Sequence, residues 1–186
     1  DNYTYFKETS NALTGEIDTK RLASPFQAPD QIKYYKIKIE NHNRVGKFAL
    51  INTAQYQKKE QNELDSNELM TLNVPEWVTR NTLLYSNDLF NNSLFLQTGI
   101  TFNFFTKFYA DYYNPLLSEF VTQNYKEIGE YPRFDFFVNA TIQQTRIFIK
   151  VEHLNSSFTG YDYYSDPFNP YRDLSVRFGV VWNFFE

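Results

Sequence analysis

Strict alternation of apolar and polar residues over long segments is the feature that most constrains this chain. In segment 93–109, the even-numbered positions carry mostly Leu, Ile and Phe, and the odd-numbered positions carry mostly small or polar residues. A period of two places these sets on opposite faces of a β-strand. The same period predicts an all-β fold with strands at about 2–7, 31–41, 45–58, 77–86, 92–109, 132–143, 146–154 and 172–185.

The connections between these strands alternate in length. Tight turns are predicted at 41–44, 86–92 and 143–145, and long loops at 59–76, 111–131 and 155–171. Segment 93–109 is about three times as long as the roughly 5–6 residues of a usual soluble strand. Short turns at one end, long loops at the other and long strands are typical of an antiparallel up-and-down transmembrane β-barrel. The alternative is a soluble lipid-binding barrel, whose apolar face points inward and whose strands and loops are shorter.

Composition supports strands and argues against several function classes. Aromatic residues make up 19% of the 186 residues, mean hydropathy is -0.55, and there is no cysteine. Aromatic side chains favour strands, and no run approaches the roughly 18 apolar residues of a membrane-spanning helix. The net charge is -4, so no basic stripe predicts nucleic acid as a partner. Without cysteine, thiolate metal sites and Cys nucleophiles are excluded.

The alternation assigns the two faces of the predicted sheet. Charged side chains are costly in lipid, so the polar set should line the barrel interior. The predicted lumen-lining residues are Arg133, Asp135, Asn139, Gln143, Arg146, Lys150, Glu152 and Arg177. The predicted lipid-facing residues are Leu94, Leu96, Ile100, Phe102, Phe104, Val176, Phe178, Val180 and Trp182. Mixed charges on the polar face are compatible with either a hydrated pore wall or a salt-bridged plug.

Few residues suggest other chemistry. His42, placed in a tight turn, and His153, placed near a strand end, have no partner in a metal or triad spacing, so both are predicted to be solvated or interfacial. The acidic residues of 60–68 lack the register of a calcium loop, and this segment is predicted to be a short helix or loop. The aromatic residues of 161–171 could stack on a sugar or a partner, but such residues more often pack a loop onto itself or lie in the aromatic girdle. The sequence predicts no catalytic residues, metal or cofactor, and therefore no enzyme.

Several sequence segments resemble those of a known family. They are LQTGITFNFFTKFYADYYNP (96–115), TQNYKEIGEYPRFDFFVN (122–139), RIFIKVEHLN (146–155) and DPFNPYRDLSVRFGVVWNFFE (166–186), with VPEWVTRNTLLY (74–85) before them. In these segments the chain resembles the putative porin family of Bacteroidota outer-membrane β-barrels. The resemblance covers about the last 110 residues well and the first 70 loosely. Because family members look longer, it implies the C-terminal seven or eight strands of a larger barrel.

The resemblance implies a passive, porin-like channel for small hydrophilic solutes in the bacterial outer membrane. The alternative is a structural or interaction barrel, such as an anchor, an adhesin or a subunit of an envelope complex, without an open channel. The expected partners are outer-membrane lipid, the barrel assembly machinery and other envelope proteins. The assembly signal is predicted at Val180, Trp182, Phe184 and Phe185, although the chain departs from the usual aromatic end by finishing at Glu186. We further expect the last strand to pair with 146–154 on one side only.

Overall fold

The structure, a computed structural model, describes residues 31–60, 72–160 and 163–184, and the backbone alone of residues 2–7 and 22–27. The residues it describes form strands, turns and loops, and none of them is helical. In chain order the strands are β1 (Asn2–Lys7), β2 (Leu22–Gln27), β3 (Lys33–Val45), β4 (Phe48–Glu60), β5 (Trp77–Leu89), β6 (Leu94–Phe105), β7 (Phe108–Tyr109), β8 (Tyr112–Asn114), β9 (Glu119–Thr122), β10 (Glu127–Ile128), β11 (Arg133–Ile142), β12 (Thr145–Glu152) and β13 (Ser175–Trp182). The predicted all-β fold is confirmed.

Seven strands form the main sheet, in the order β13-β12-β11-β6-β5-β4-β3. Every neighbouring pair in it is antiparallel, so the sheet is an up-and-down meander. Strand β13 pairs with β12, as expected, and has no second partner within the described residues. Among the described strands, β3 likewise pairs only with β4. The described strands therefore form an open sheet, and they do not close into a barrel.

The predicted strand 2–7 exists, but it does not belong to the main sheet. Strand β1 pairs antiparallel with β2 and parallel with β9, in a separate sheet of order β2-β1-β9-β8. Strands β8 and β9 lie within the predicted long loop 111–131, which is therefore partly structured. Short strands of two to four residues show no readable alternation, so the sequence pattern missed them.

Two predicted turns are displaced. The turn predicted at 41–44 is wrong, because β3 continues through Asn41 and Asn43 to Val45 and the turn is at residues 46–47. Gly46 has φ 59°, and a glycine at the first turn position is typical of a two-residue type II′ hairpin. The turn predicted at 86–92 is also shorter, because β5 extends to Leu89 and the turn occupies residues 90–93.

The longest predicted strand is interrupted, and the last one is shorter than predicted. Strand β6 ends at Phe105, where the Thr106 amide donates to the Trp77 carbonyl and the Thr106 hydroxyl accepts from the Trp77 amide. These hydrogen bonds to the start of β5 end the pairing of β6. Strand β7 begins at Phe108, two residues after Thr106. Strand β13 spans Ser175–Trp182, where 172–185 was predicted. The Asn183 amide donates to the Gln144 carbonyl, beyond the regular ladder.

The antiparallel order places connections of like length together. The segments between β4 and β5, between β6 and β11 and between β12 and β13 all connect strands at one end of the main sheet. The turns at 46–47, 90–93 and 143–144 connect them at the opposite end. We call these the loop end and the turn end. Strand β13 runs from the loop end to the turn end.

Candidate functional site

One face of the main sheet is mostly polar by residue type and bounds a large cavity, to whose lining Ile51, Leu84, Phe137 and Phe148 also contribute. We call it the concave face; it carries the cross-strand row His42, Ile51, Thr82, Thr101 and Asp135 and the residues that alternate in register with them. The cavity has a volume of about 650 Å³ and is lined by residues from six strands that are adjacent in the sheet: β3, β4, β5, β6, β11 and β12. Because neighbouring strands lie about 4.8 Å apart, side chains from six strands reach one cavity only if the sheet curves around it.

The predicted lumen-lining residues, with one exception, share this face. Register pairs Asn103 with Arg133, Thr101 with Asp135 and Gln97 with Asn139, and it pairs Lys150 with Arg177. Arg146 lies four residues before Lys150 on β12, and Glu152 lies two residues after it. Both side chains therefore point to the same face as Lys150. Gln143 does not belong to this set. It is the first residue of a hairpin turn, with φ 50°.

Asp135 connects the concave face to the loop after β12. Its Oδ1 accepts the His153 amide at 3.0 Å and lies 3.9 Å from Arg133 Nε, and its Oδ2 accepts Asn103 Nδ2 at 3.4 Å. His153 is 0% exposed and has φ 56°, so the prediction of a solvated or interfacial histidine is wrong. The imidazole Nδ1 lies 2.9 Å from the Arg172 carbonyl oxygen, and the ring contacts Tyr163 and Tyr171 edge to face.

Glu152 forms a second charged cluster at the loop end. Its carboxylate lies 2.8 Å from Lys150 Nζ, 3.0 Å from Arg177 Nη2 and 3.7 Å from Arg172 Nη1. Three cations therefore share one carboxylate. Together with Asp135, this cluster connects β11, β12 and β13 to the loop 153–174.

The opposite face, which we call the outer face, is apolar and exposed. One cross-strand row runs through β4, β5, β6, β11, β12 and β13 as Leu50, Leu83, Ile100, Phe136, Val151 and Val176. Phe178 is 82% exposed and Val180 64% exposed. All nine predicted lipid-facing residues belong to this face by register. Exposed apolar patches of this extent mark an interaction surface or a membrane surface.

Aromatic pairs lie toward both ends of the outer face. At the loop end, the Tyr56 and Trp77 rings are 4.8 Å apart. At the turn end, Phe48 lies 5.1 Å from Tyr85 and Trp182 lies 4.9 Å from Phe184. Aromatic side chains at two levels are typical of the girdles that flank the apolar band of a membrane barrel.

The outer face is not uniformly apolar. Asn41, Asn52 and Asn81 form a single cross-strand row on β3, β4 and β5. Asn81 Nδ2 donates to Thr79 Oγ1, which in turn donates to the Thr53 carbonyl. This polar row interrupts the apolar surface on one side of the sheet, and β6, β11, β12 and β13 have no comparable row.

A buried amide holds the loop between β6 and β11 together. The Gln123 side chain donates to the Ala110 and Lys126 carbonyls and accepts from the Tyr125 and Lys126 amides. Nearby, Asn73 donates to Asp111 Oδ1 at 3.3 Å. Burial raises the pKa of the Asp111 carboxyl, and hydrogen bonds from Asn73 and Thr122 and the charge of Lys59 oppose that shift.

The aromatic residues of the loop after β12 pack within the loop end. The Tyr163 ring is buried between Tyr131, at 4.5 Å, and His153, at 4.5 Å. Burial raises the pKa of the Tyr131 hydroxyl and of the Tyr163 hydroxyl. Phe168 contacts Tyr112 and Tyr125, while Tyr171 contacts Arg133. These contacts are the packing within the loop that the sequence offered as the alternative to sugar stacking. Tyr161 lies outside the described residues.

The predicted assembly signal lies at the turn end. Val180 and Trp182 point to the outer face of β13, and Phe184 follows the strand with 73% of its surface exposed. Phe185 lies outside the described residues, as does most of the acidic segment 60–68.

Within the described residues, no cluster of three or more His, Asp or Glu side chains could hold a metal ion. In the same part of the chain, no helix is long and apolar enough to cross a membrane.

Comparison with protein-family models identifies one family. The model described as "Putative porin" matches residues 1–186. The chain belongs to this family. The match includes the first 70 residues, in which the sequence resembled the family only loosely. Membership of this porin family fits an outer-membrane, porin-like role. No curated protein and no solved structure gives a significant match.

Sequence reasoning missed several residues of the concave face. Arg80 lines the cavity, and so does His42, which the sequence placed in a turn. Strand β5 alternates Val78, Arg80, Thr82 and Leu84 against a second set that is also mixed, so its period did not reveal which side was polar. Arg172 lies in a loop, where no period exists, and only tertiary contact brings it to Glu152.

Proposed function

We propose that this chain forms wall strands of an outer-membrane β-barrel through which small hydrophilic solutes diffuse passively. The observation that carries this proposal is the division of one sheet into two unlike faces. The concave face is mostly polar and bounds a cavity, and the outer face exposes apolar residues on all seven strands. In a bilayer that arrangement would put water inside and lipid outside.

The free edges of β3 and β13 support a larger barrel. Unpaired backbone groups at a sheet edge cannot face hydrocarbon, since each unsatisfied group costs several kcal/mol. Further strands would therefore pair with both edges in the membrane. A barrel of about 8 strands is filled by its own side chains, while one of about 16 strands encloses an aqueous channel.

The channel proposal is tested by solute uptake. The purified protein is reconstituted into liposomes, and swelling is followed in isotonic solutions of sugars of increasing size. We expect swelling rates to fall smoothly as solute size increases, because passive diffusion depends on fit within the lumen. Liposomes that contain the folded protein and do not swell with any solute would favour the interaction barrel, as would an intact native mass near 22.2 kDa.

Orientation in the outer membrane is tested by protease added to intact cells. We expect cleavage within the loops at the loop end, for example within 153–174, and protection of the turns at 46–47 and 143–144. The long loops should face outward because membrane barrels have short periplasmic turns and longer external loops. Cleavage at residues 143–144 from outside would reverse this orientation.

The C-terminal strand is proposed to be the segment that the assembly machinery binds. Deleting residues 182–186 should abolish insertion into the outer membrane, measured by fractionation and by the heat-modifiable mobility of folded barrels. As a matched pair, Trp182→Ser with Phe184→Ser should impair insertion more than Val181→Ser with Asn183→Ser, because the first pair forms the aromatic contact at the turn end. Normal insertion of the truncated chain would refute the assembly role.

A further inference from the structure

The charges of the concave face differ in sign from the charge of the whole chain. The chain carries a net charge of -4. On β3 and β4, the concave face carries one carboxylate, Glu40, and four cations: Lys36, Lys38, Arg44 and Lys59. On β5, β11, β12 and β13 it carries the carboxylates Asp88, Asp135 and Glu152 and the cations Arg80, Arg133, Arg146, Lys150 and Arg177. The face is therefore basic within an acidic protein.

The carboxylates of this face are mostly neutralised by neighbouring cations. Glu40 lies 2.6 Å from Lys38 Nζ, and Glu152 is shared by three cations. Asp135 is held by Arg133 and by two hydrogen-bond donors. These carboxylates have little charge left to attract a passing cation.

Several cations of this face, in contrast, form no ion pair within the described part of the chain, and two of them line cavities. Arg80 lines the main cavity, and Arg146 lines a second cavity of about 420 Å³ toward the turn end, with Gln97, Asn139 and Phe148. Neither guanidinium lies within ion-pair distance of a carboxylate of the described residues.

We propose that this face makes the channel selective for small anions, such as inorganic anions and short carboxylates. This inference rests on the channel function proposed above. A cleft with low-dielectric walls and one sign of charge concentrates counter-ions, and rings of Arg and Lys line anion-conducting pores. Arg80 and Arg146 lie at different depths of the wall and offer successive contacts to a passing anion. The Glu152 cluster adds two uncompensated positive charges at the loop end.

The test measures ion selectivity of the purified full-length protein in planar bilayers. The reversal potential in a KCl gradient gives the ratio of chloride to potassium permeability. We expect chloride to permeate several times faster than potassium at low salt. The ratio should fall toward one in concentrated KCl, where the Debye length shrinks to about 3 Å.

Charge-reversal variants test which side chains produce the ion selectivity. Arg80→Glu and Arg146→Glu should each lower the chloride preference, and the double variant should abolish or invert it. Lys47→Glu is the matched control, because it makes the same change of charge in the turn 46–47 and should leave selectivity unchanged. Arg80→Gln and Arg146→Gln should give intermediate ratios, and they provide a test if the Glu variants do not fold.

The outcomes separate this inference from the function on which it rests. Conductance with equal or preferred potassium permeation in the unaltered protein would overturn anion selectivity and leave the channel intact. Selectivity that responds equally to Lys47→Glu and to Arg80→Glu would assign it to overall charge and overturn the role of the concave face. Absence of conductance from folded protein would refute the channel itself, and anion selectivity with it.

Discussion

Val138→Arg should destabilise the folded protein in a bilayer by about 2–4 kcal/mol relative to Asn139→Arg. The two positions are neighbours near the middle of β11. Val138 pairs with Thr98 and Ile149 on the outer face, and Asn139 pairs with Gln97 and Phe148 on the concave face. In the proposed barrel, an arginine at position 138 would leave water for hydrocarbon, while one at position 139 would enter the cavity of the concave face.

The measurement is urea unfolding of the protein refolded into lipid vesicles, followed by the fluorescence of Trp77 and Trp182. Both variants add the same side chain to the same strand, so the introduced group and the change in net charge are matched. Equal destabilisation at both positions, or a larger effect at Asn139, would contradict the assignment of the outer face to lipid. The same comparison in detergent micelles should show a smaller difference, because a micelle adapts to a charged group more readily than a bilayer.

Gly99→Ala should cost about 1–3 kcal/mol of stability, the usual range for overpacking, and shortening the neighbouring Phe137 side chain should recover only a small part of this loss. A methyl group at position 99 would lie 2.5 Å from the Leu83 carbonyl oxygen and 2.9 Å from the Phe137 ring. The ring can be removed, but the carbonyl belongs to the backbone of β5. Phe137→Leu should therefore rescue Gly99→Ala only in small part.

Gly179 is the contrasting case on β13. A methyl group there would lie 2.5 Å from the Phe148 ring, with no backbone atom among its nearest contacts. Gly179→Ala should be destabilising in the native background and nearly neutral in Phe148→Leu. Double-mutant cycles by urea unfolding give both coupling energies. Equal rescue at the two glycines would show that the Leu83 carbonyl does not limit the space at Gly99.

Much of the fold was readable from alternation. In β6 and β13 one set of side chains is apolar and the other is small or polar, so period and face were both clear. Register then confirmed that these two strands belong to one antiparallel sheet. In β5 both the odd-numbered and the even-numbered residues mix polar and apolar types. The sequence therefore predicted the strand but not that Arg80 lines the cavity.

Turn positions were harder to predict than strands. The polar run around His42 reads as a turn by composition, yet it continues β3 because the Gly46 backbone supplies the positive φ that the hairpin needs. At residues 90–93 the reversal uses Phe90, Asn91 and Asn92, all with φ between 53° and 64°. Asparagine tolerates that conformation, but phenylalanine is rarely found there. The sequence therefore predicted a turn in this region, but not that it begins at Phe90.

By itself, the sequence determined the strand character of the chain, the polar and apolar sides of its clearest strands and the absence of thiol chemistry, because side-chain period is a local property. Only the tertiary structure decided which strands are neighbours, that β1 joins β9 instead of the main sheet, and that His153 is buried against Asp135. It also brought Arg172 to Glu152 and left Arg80 and Arg146 unpaired toward the cavities. These features depend on contacts between residues distant in sequence, which a local period does not encode.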